Sequence, residues 1–315
     1  MLDWTDRHYR AFARLLTKRT TLYTEMVVDQ ALLRGDRDRF LPRNPEDRPT
    51  VVQLGGSEPE TLAEAAKIAE ERGYDQIGLN AGCPSDRVQS GKMGACLMAE
   101  PDLVARCVEA MVRAVKIPVS VKTRIGIDES DSYGFLETFA TRVMAAGCDH
   151  LVVHARKAWL KGLSPRENRT VPPLLPERVY ALKEAHPDWT VVLNGGVDSW
   201  EKALAHLERV DGVMIGRAAY ENLWMLRGAD AAVFGDAEGA ASLPATQVDA
   251  VRAWYPYVER ELARGERLKW MTRHLLGLFR GCDGARRWRQ ELAEGSARSG
   301  AGLEVVEAAL RHVAS

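Results

Sequence analysis

The sequence lacks the patterns that mark a disulfide framework, a zinc site or a membrane span. Its five cysteines make an odd count and form no C-x-x-C pair. No apolar run reaches the roughly 18 residues that span a bilayer, and the amino terminus is charged where a signal peptide has an apolar core. We expect a soluble cytoplasmic protein with no metal, no evident obligate protein partner and at least one free, reactive thiol.

The chain also has little net charge, because 43 Lys and Arg residues face 44 Asp and Glu residues. This balance argues weakly against a nucleic-acid binder, since phosphate contacts usually leave the binding domain basic. The charge is unevenly distributed, with a net of +3 over residues 243–315 and of −4 over residues 1–242. Within the acidic part, residues 155–170 have a net of +4. We call this segment the basic loop.

With 315 residues, 46% of them hydrophobic, the chain can bury one large core and a second small one. Short β-branched runs, apolar on both faces, alternate with helical segments, as in parallel sheets covered by helices. The helix after the second run is predicted to start with Ser57 as its cap and to end at Gly73. Seven such runs favour an α/β fold of the TIM type, a (β/α)8 barrel, over an open doubly wound sheet; they are residues 21–26, 50–54, 76–80, 119–123, 150–154, 190–194 and 212–215.

A Gly/Ala/Asp stretch over residues 234–244 ends this alternation. After it, helices with aromatic faces are predicted over residues 246–264 and 268–279, and a further helix over 303–313. We therefore predict two domains, a catalytic barrel over residues 1–241 and a small all-helical domain over residues 242–315.

Polar side chains occupy the carboxyl ends of six predicted strands, which is where barrel enzymes hold their active sites. A single polar strand end is more often a loop anchor, but six that converge on one face favour a site. They are Gln53, Asn80, Lys122 with Arg124, His154, Asn194 and Arg217.

The last two strand ends suit a phosphate group. Gly195, Gly196 and Gly216 would let backbone amides approach its oxygens, and Arg217 would add a forked cation; two tight turns are the alternative. Lys122 above such a phosphate would suit the electron-rich edge of a reduced flavin, or would form a buried salt bridge with Asp75 or Asp149.

The connection over residues 81–100, which we call the cysteine loop, is longer than a usual β/α loop and indicates a lid or a binding loop. Its Cys83 could donate a proton to a carbon centre or act as a nucleophile. The nucleophile role has less support, because no histidine lies beside it in the sequence. An inert cysteine is the third possibility.

Together these residues resemble the signature of the tRNA-dihydrouridine synthases. The resemblance rests on five segments: Asn80-Ala81-Gly82-Cys83-Pro84-Ser85, Val121-Lys122-Thr123-Arg124, His154-Ala155-Arg156-Lys157-Ala158-Trp159, Asn194-Gly195-Gly196 and Gly216-Arg217. Residues 2–8, 158–165 and 284–289 are similar to the A-type bacterial subfamily. The resemblance covers essentially the whole chain.

The resemblance implies an FMN enzyme that uses NADPH to reduce uridine in the D-loop of tRNA, at positions 20 and 20a. Hydride would pass from FMN N5 to C6 of the uracil, and Cys83 would protonate C5. Met1, Leu2 and Asp3 would form a turn beneath the flavin, with Gln53, Lys122, His154, Asn194, Gly195, Gly196, Gly216 and Arg217 as the other cofactor ligands. Asn80 and Arg124 would contact the flipped uridine, and Arg166, Arg169, Arg286 and Arg289 would form a groove for the tRNA.

Two other functions fit parts of the sequence. A flavin-dependent dehydrogenase of a free pyrimidine explains the barrel and the cysteine but not the basic loop or the helical tail. A non-catalytic RNA-binding relative explains the arginines alone and would be colourless.

The family normally opens with a strand that leads into a Pro-Met-Leu-Asp turn, whereas this chain begins at the methionine. We expect no strand before about residue 20, seven parallel strands, and a gap between the first and the last. A start codon assigned too late explains this expectation more simply than a truncated protein does.

Overall fold

The computed structural model describes residues 1–313, which form one parallel sheet and many helices. The strands are β1 (Leu22–Val28), β2 (Thr50–Gly55), β3 (Gln76–Asn80), β4 (Val119–Arg124), β5 (His150–His154), β6 (Thr190–Asn194) and β7 (Gly212–Met214). The helices are α1 (Arg7–Leu16), α2 (Asp29–Arg34), α3 (Arg37–Phe40), α4 (Pro59–Glu71), α5 (Asp86–Ser90), α6 (Pro101–Ala114), α7 (Tyr133–Ala145), α8 (Pro176–Ala185), α9 (Trp200–Leu207), α10 (Arg217–Glu221), α11 (Ala229–Phe234), α12 (Ala237–Ala241), α13 (Gln247–Ala253), α14 (Tyr255–Ala263), α15 (Leu268–Thr272), α16 (Ala285–Gly295) and α17 (Leu303–Leu310). Short 3-10 turns cover Pro45–Asp47, Gly94–Ala99, Glu167–Arg169, Leu223–Gly228 and Arg273–Leu275.

The strands lie side by side in sequence order, β1 to β7, and the pairs from β2 to β7 are parallel. No pairing joins the edge strands β1 and β7 within residues 1–313, and no strand precedes β1. The predictions of a TIM-type α/β fold, of seven strands and of a gap between the first and the last are therefore confirmed. All six residues of β2 are buried, as a strand covered on both faces requires.

The sheet packs against helices that present small apolar faces. In α4, Leu62, Ala65, Ala66 and Ala69 are fully buried. The predicted Ser57 cap is wrong, because α4 begins at Pro59 with Glu58 at the cap position and without a side-chain cap. Proline favours the first helical position, where its missing N–H costs nothing, and so it determines the start of the helix. Gly73, with φ of 78°, follows the helix as predicted.

The chain divides into two compact units. The sheet unit comprises Met1, Tyr23–Arg43 and Arg48–Gly216, and the helical unit comprises Leu2–Leu22, Asn44–Asp47 and Arg217–Ser315. In the helical unit, Phe12 of α1 packs edge-on against the buried Trp254, with ring centroids 5.4 Å apart. Helix α1 therefore contributes to the helical core. The boundary between residues 241 and 242 stays a prediction, and the compact units divide the chain elsewhere.

Candidate functional site

The polar strand ends of the sheet unit lie in one row. Asn80 of β3 is in register with Lys122 of β4. Further along, Arg124 pairs with His154 of β5, which pairs with Asn194 of β6. Because neighbouring strands are about 4.8 Å apart, the structure brings these residues together at one edge of the sheet.

Asn80 holds the start of the cysteine loop. Its side-chain oxygen accepts the backbone N–H groups of Gly82 at 3.0 Å and of Cys83 at 2.9 Å. Its amide nitrogen donates to the side-chain oxygen of Gln53 on β2. Both amide side chains are buried. The backbone of Cys83 is therefore fixed by a side chain at the end of β3.

The cysteine loop also closes on itself around Cys83. The N–H of Ala95 donates to the carbonyl oxygen of Cys83 at 2.8 Å. The preceding Gly94 has φ of 78°, and a Cβ built there would lie 2.4 Å from the same oxygen. Glycine is required at this position for both reasons.

Two side chains join the cysteine loop to the basic loop. The guanidinium of Arg124, which is 4% exposed, donates to the carbonyl oxygens of Gly82 at 2.8 Å and of Lys157 and Asn168 at 3.1 Å each. The amide of Gln89 in α5 donates to the carbonyl oxygens of Pro84 and Leu160, both at 2.9 Å. Each side chain thus bonds to both loops, so that a displacement of the basic loop would be transmitted to the backbone beside Cys83.

Asn168 stabilises the basic loop through hydrogen bonds to the backbone of the same loop. Fully buried, it accepts the N–H of Trp159 at 2.7 Å and donates to the carbonyl oxygens of Trp159 and Leu163 at 2.9 and 3.2 Å. The roles of Gln89 and Asn168 were not predicted from the sequence. No composition or spacing signal marks them, because their partners are backbone carbonyls that only the fold brings near.

The row at the strand ends is rich in hydrogen-bond donors with few acceptors. Burial, together with the charge of Arg124, lowers the pKa of Lys122 to about 8, and burial lowers the pKa of Arg124 to about 10. Within residues 1–313 the Lys122 ammonium has no hydrogen-bond or ion-pair partner. The alternative of a buried salt bridge is wrong, because Asp75 pairs with Arg48 and Asp149 with His150.

His154 contributes a second unpartnered polar group. Its Nδ1 atom is buried and has no hydrogen-bond partner in the described part of the chain. Burial, reinforced by Arg124 and Lys122, holds the pKa of His154 well below its ordinary value. The imidazole is therefore neutral at physiological pH, with one nitrogen aimed at no protein group.

The glycines after β6 and β7 have backbone conformations or open surroundings that favour glycine, as the sequence indicated. Gly195 and Gly196 have φ of 108° and 74°, and a Cβ on Gly195 would lie 3.3 Å from the His154 ring. Space within 4 Å of Gly216 is open. Within residues 1–313, no acceptor bonds to the N–H groups of these three glycines. Asn194 instead fixes the strand ends, since its amide donates to the Met214 carbonyl at 2.8 Å.

The other predicted site residues divide between the two units. Arg166 is exposed, and Arg169 donates to the Pro165 carbonyl at 2.8 Å; both belong to the sheet unit, as does Met1. The helical unit holds Leu2, Asp3, Arg217 and the exposed Arg286 and Arg289 of α16. That the arginines of the two units form one groove stays a prediction.

Two classes of feature are absent from residues 1–313. No group of three or more His, Cys, Asp or Glu side chains there is arranged to hold a metal ion. No helix in that range has the length and apolarity needed to cross a membrane.

The model of the dihydrouridine synthase (Dus) family matches residues 1–314. The chain is 54% identical to the tRNA-dihydrouridine(20/20a) synthase of Shewanella oneidensis over 313 residues, which is 99% of this chain and 92% of that protein. It is 54% identical to the proteins of the same name from Vibrio cholerae and Escherichia coli K12, over 99% and 100% of this chain and 94% and 90% of theirs.

A solved structure supports the fold independently. A 2-naphthoyl-CoA reductase in complex with 2-naphthoyl-CoA superimposes with a TM-score of 0.52 and 12% identity, over 72% of this chain and 46% of that one. The chain thus spans less than half the length of this neighbour, and the likeness bears on the fold alone. Since the family model and the relatives cover nearly every residue, including the cysteine loop and the strand-end row, the chain belongs to the dihydrouridine synthase family.

Proposed function

We propose that this protein reduces uridine to 5,6-dihydrouridine in the D-loop of tRNA, at positions 20 and 20a, with FMN as cofactor and NADPH as reductant. The observation that carries the proposal is the arrangement of Cys83. Asn80 accepts the N–H of Cys83, and Arg124 donates to the carbonyl oxygen of the preceding Gly82. In the adjacent row, the Lys122 ammonium and the His154 Nδ1 atom have no hydrogen-bond partner within residues 1–313. The names of the relatives supply the substrate class.

The donor set fits FMN. Its phosphate and ring carbonyl oxygens are acceptors, and the row offers the Lys122 ammonium, the His154 ring and the amides of Gly195, Gly196 and Gly216. Arg217, which follows Gly216 directly, would add charge at the phosphate, and Met1, Leu2 and Asp3 would be further ligands of the cofactor. Bound FMN would supply hydride for C6 of the uracil.

The chain itself would supply the proton and orient the base. Cys83 would donate its proton to C5 as negative charge develops there. The Asn80 amide nitrogen has two hydrogens, of which Gln53 accepts one, so the other would be free to donate to an oxygen of the uracil. Contact of Arg124 with the uridine stays a prediction, and its bonds to three carbonyls give it a positioning role as well.

The target base lies inside the folded tRNA and must be turned out, at a cost of a few kcal/mol. Phosphate contacts of the basic loop and of α16 would offset this cost. Arg166, Arg286 and Arg289 are exposed and available for them, and Arg169 lies beside Arg166.

Replacing both Arg166 and Arg286 with alanine is expected to weaken tRNA binding and to flatten its dependence on salt, because each phosphate contact contributes to that slope. Filter binding at several salt concentrations measures both quantities. Arg113→Ala is the control, since Arg113 is exposed on α6 and pairs with Glu109. Equal salt slopes for the double variant and the wild type would remove these arginines from the tRNA interface.

Affinity for FMN is expected to fall as the pH rises above about 8. Lys122 carries its positive charge below its pKa of about 8 and is neutral above it, and only the charged form attracts an electron-rich ring. Flavin fluorescence measures release of the cofactor at pH values on either side of this point. Lys122→Arg keeps its charge and should show a flatter profile. A wild-type affinity that does not change with pH would exclude Lys122 as the charged ligand.

The absorption spectrum of the purified protein tests the cofactor, and assays with tRNA and with free uracil test the substrate. We expect flavin bands, and dihydrouridine from tRNA only. A colourless protein would favour the RNA-binding relative, and reduction of free uracil would favour the pyrimidine dehydrogenase.

A further inference from the structure

The helical unit has an exposed indole flanked by two cations. Trp270 of α15 is 44% exposed, and Phe234, at 42%, is the other exposed aromatic side chain of residues 1–313. The Lys269 ammonium lies 4.4 Å from the centroid of the indole ring, and the Arg273 guanidinium carbon lies 5.6 Å from it. A large apolar ring is thus kept in solvent beside positive charge.

The position of Arg273 is fixed by a partly buried network. Its guanidinium donates to the Asp6 carboxylate at 2.6 Å, and His274 pairs with the same carboxylate at 3.0 Å. Asp6 also caps α1, since its other oxygen accepts the N–H groups of His8 and Tyr9 at 2.9 and 3.0 Å. The cation beside Trp270 therefore has little freedom, and a ligand that meets the indole would find it preorganised.

Of the two cations beside the Trp270 ring, Arg273 is paired with Asp6, whereas Lys269 has no carboxylate partner within residues 1–313. Three other cations of the tail have carboxylate partners: Arg252 pairs with Glu307, Arg260 with Glu46 and Arg264 with Glu261. By contrast, Lys269 has only the indole, and Arg267 has only the Ala297 carbonyl at 3.0 Å, within residues 1–313. Arg267 is the cap residue of α15, and its carbonyl oxygen accepts the N–H of Trp270 at 3.0 Å, so both residues belong to the start of this helix.

An aromatic face beside unpaired cations matches the chemistry of a single-stranded nucleotide. The base stacks on the ring, and the phosphate meets the cations. Duplex RNA keeps its base faces inside the stack, which favours an unpaired residue. We propose that Trp270 is a stacking platform for an unpaired base of tRNA, with Lys269 and Arg267 on the adjacent phosphates. The proposal rests on the proposed function and extends it to a contact outside the strand-end row.

The test compares tRNA affinity for the wild type and for Trp270→Ala, Trp270→Phe and Phe234→Ala. Loss of one base–aromatic stack predicts about 5- to 150-fold weaker binding for Trp270→Ala. Trp270→Phe keeps an aromatic face and should recover most of the affinity. Phe234→Ala is the matched control, because Phe234 has Arg19 at 5.2 Å and that arginine pairs with Asp236; its affinity should be unchanged.

Lys269→Ala provides a second measurement. It should lower the slope of log affinity against log salt by a little under one, as loss of one phosphate contact does. The proposal is overturned if Trp270→Ala binds tRNA as Phe234→Ala does, if Trp270→Phe binds as weakly as Trp270→Ala, or if the Lys269→Ala slope is unchanged. Failure of the wild type to bind or reduce tRNA would instead contradict the proposed function, so the two failures are distinct.

Discussion

Dihydrouridine formation by the Cys83→Ala variant is expected to be about 10²- to 10⁴-fold slower than by the wild type, the range that proton donation contributes. Alanine removes the thiol but keeps the backbone N–H that Asn80 accepts and the carbonyl that Ala95 bonds. Flavin content and tRNA affinity should therefore be retained. Single-turnover formation of dihydrouridine, with flavin absorbance recorded on the same samples, measures the effect.

Cys96→Ala is the matched control in the same loop. The Cys96 thiol lies 3.2 Å from the carbonyl oxygen of Met93, to which it donates, and burial raises its pKa. Its loss should leave the rate almost unchanged. If Cys83→Ala forms dihydrouridine at the wild-type rate, Cys83 has a structural role only. If Cys96→Ala loses most of the rate as well, the loop is sensitive to any cysteine substitution.

Gly94→Ala is expected to have the second largest effect, about a 10²-fold loss of activity with Cys83 still present. The new Cβ would lie 2.4 Å from the Cys83 carbonyl oxygen and 3.3 Å from its carbonyl carbon, so the backbone of one residue must move. A displacement of about 1 Å at a catalytic group can cost 10²-fold. The positive φ adds about 1–3 kcal/mol of strain.

Gly235→Ala separates the strain from the displacement of Cys83. Gly235 also has a positive φ, of 65°, but no atom lies within 4 Å of its added Cβ. Both variants should lose thermal stability, and only Gly94→Ala should lose activity. If the two variants keep equal activity, the contact of Gly94 with Cys83 does not set the position of the thiol.

Strands β2 to β5 were predictable because each is a short run whose residues are nearly all buried on both faces of the sheet. The second to sixth predicted runs begin at the observed residues of β2 to β6. The first run was predicted at residues 21–26 and is found at Leu22–Val28, since its polar Thr24 and Glu25 blur the pattern. Local composition was sufficient here because burial on both faces leaves a local signal.

The helical part was harder to predict. The helix expected over residues 246–264 is two helices, α13 and α14, with Trp254 between them and Pro256 in the first turn of the second. Helix α16 was missed because its eleven residues are dominated by charge, and only Ala285, Trp288, Leu292 and Gly295 are buried. The place of α1 in the helical unit depends on contacts with residues more than 200 positions away, which no local pattern encodes.

The residues of the candidate site also differ in how far the sequence predicts them. Its row of residues could be predicted, because strand ends of a parallel sheet meet at one edge and Gln53, Asn80, Lys122 and His154 stand at such ends. The side-chain hydrogen bonds that hold the cysteine loop and the basic loop could not be predicted. Gln89 donates to the backbone carbonyl of Leu160, about 70 residues away in the sequence, and Asn168 donates to a carbonyl of its own loop. No sequence pattern indicates which carbonyls the fold will bring near these side chains.

Mass spectrometry of the D-loop tests the central claim most directly. tRNA from cells that lack dihydrouridine would be incubated with the purified protein, FMN and NADPH, then digested and sequenced by mass. The account predicts a gain of two hydrogens at positions 20 and 20a, lost in Cys83→Ala and kept in Cys96→Ala. An unchanged D-loop, in the presence of protein that carries flavin and oxidises NADPH, would contradict it.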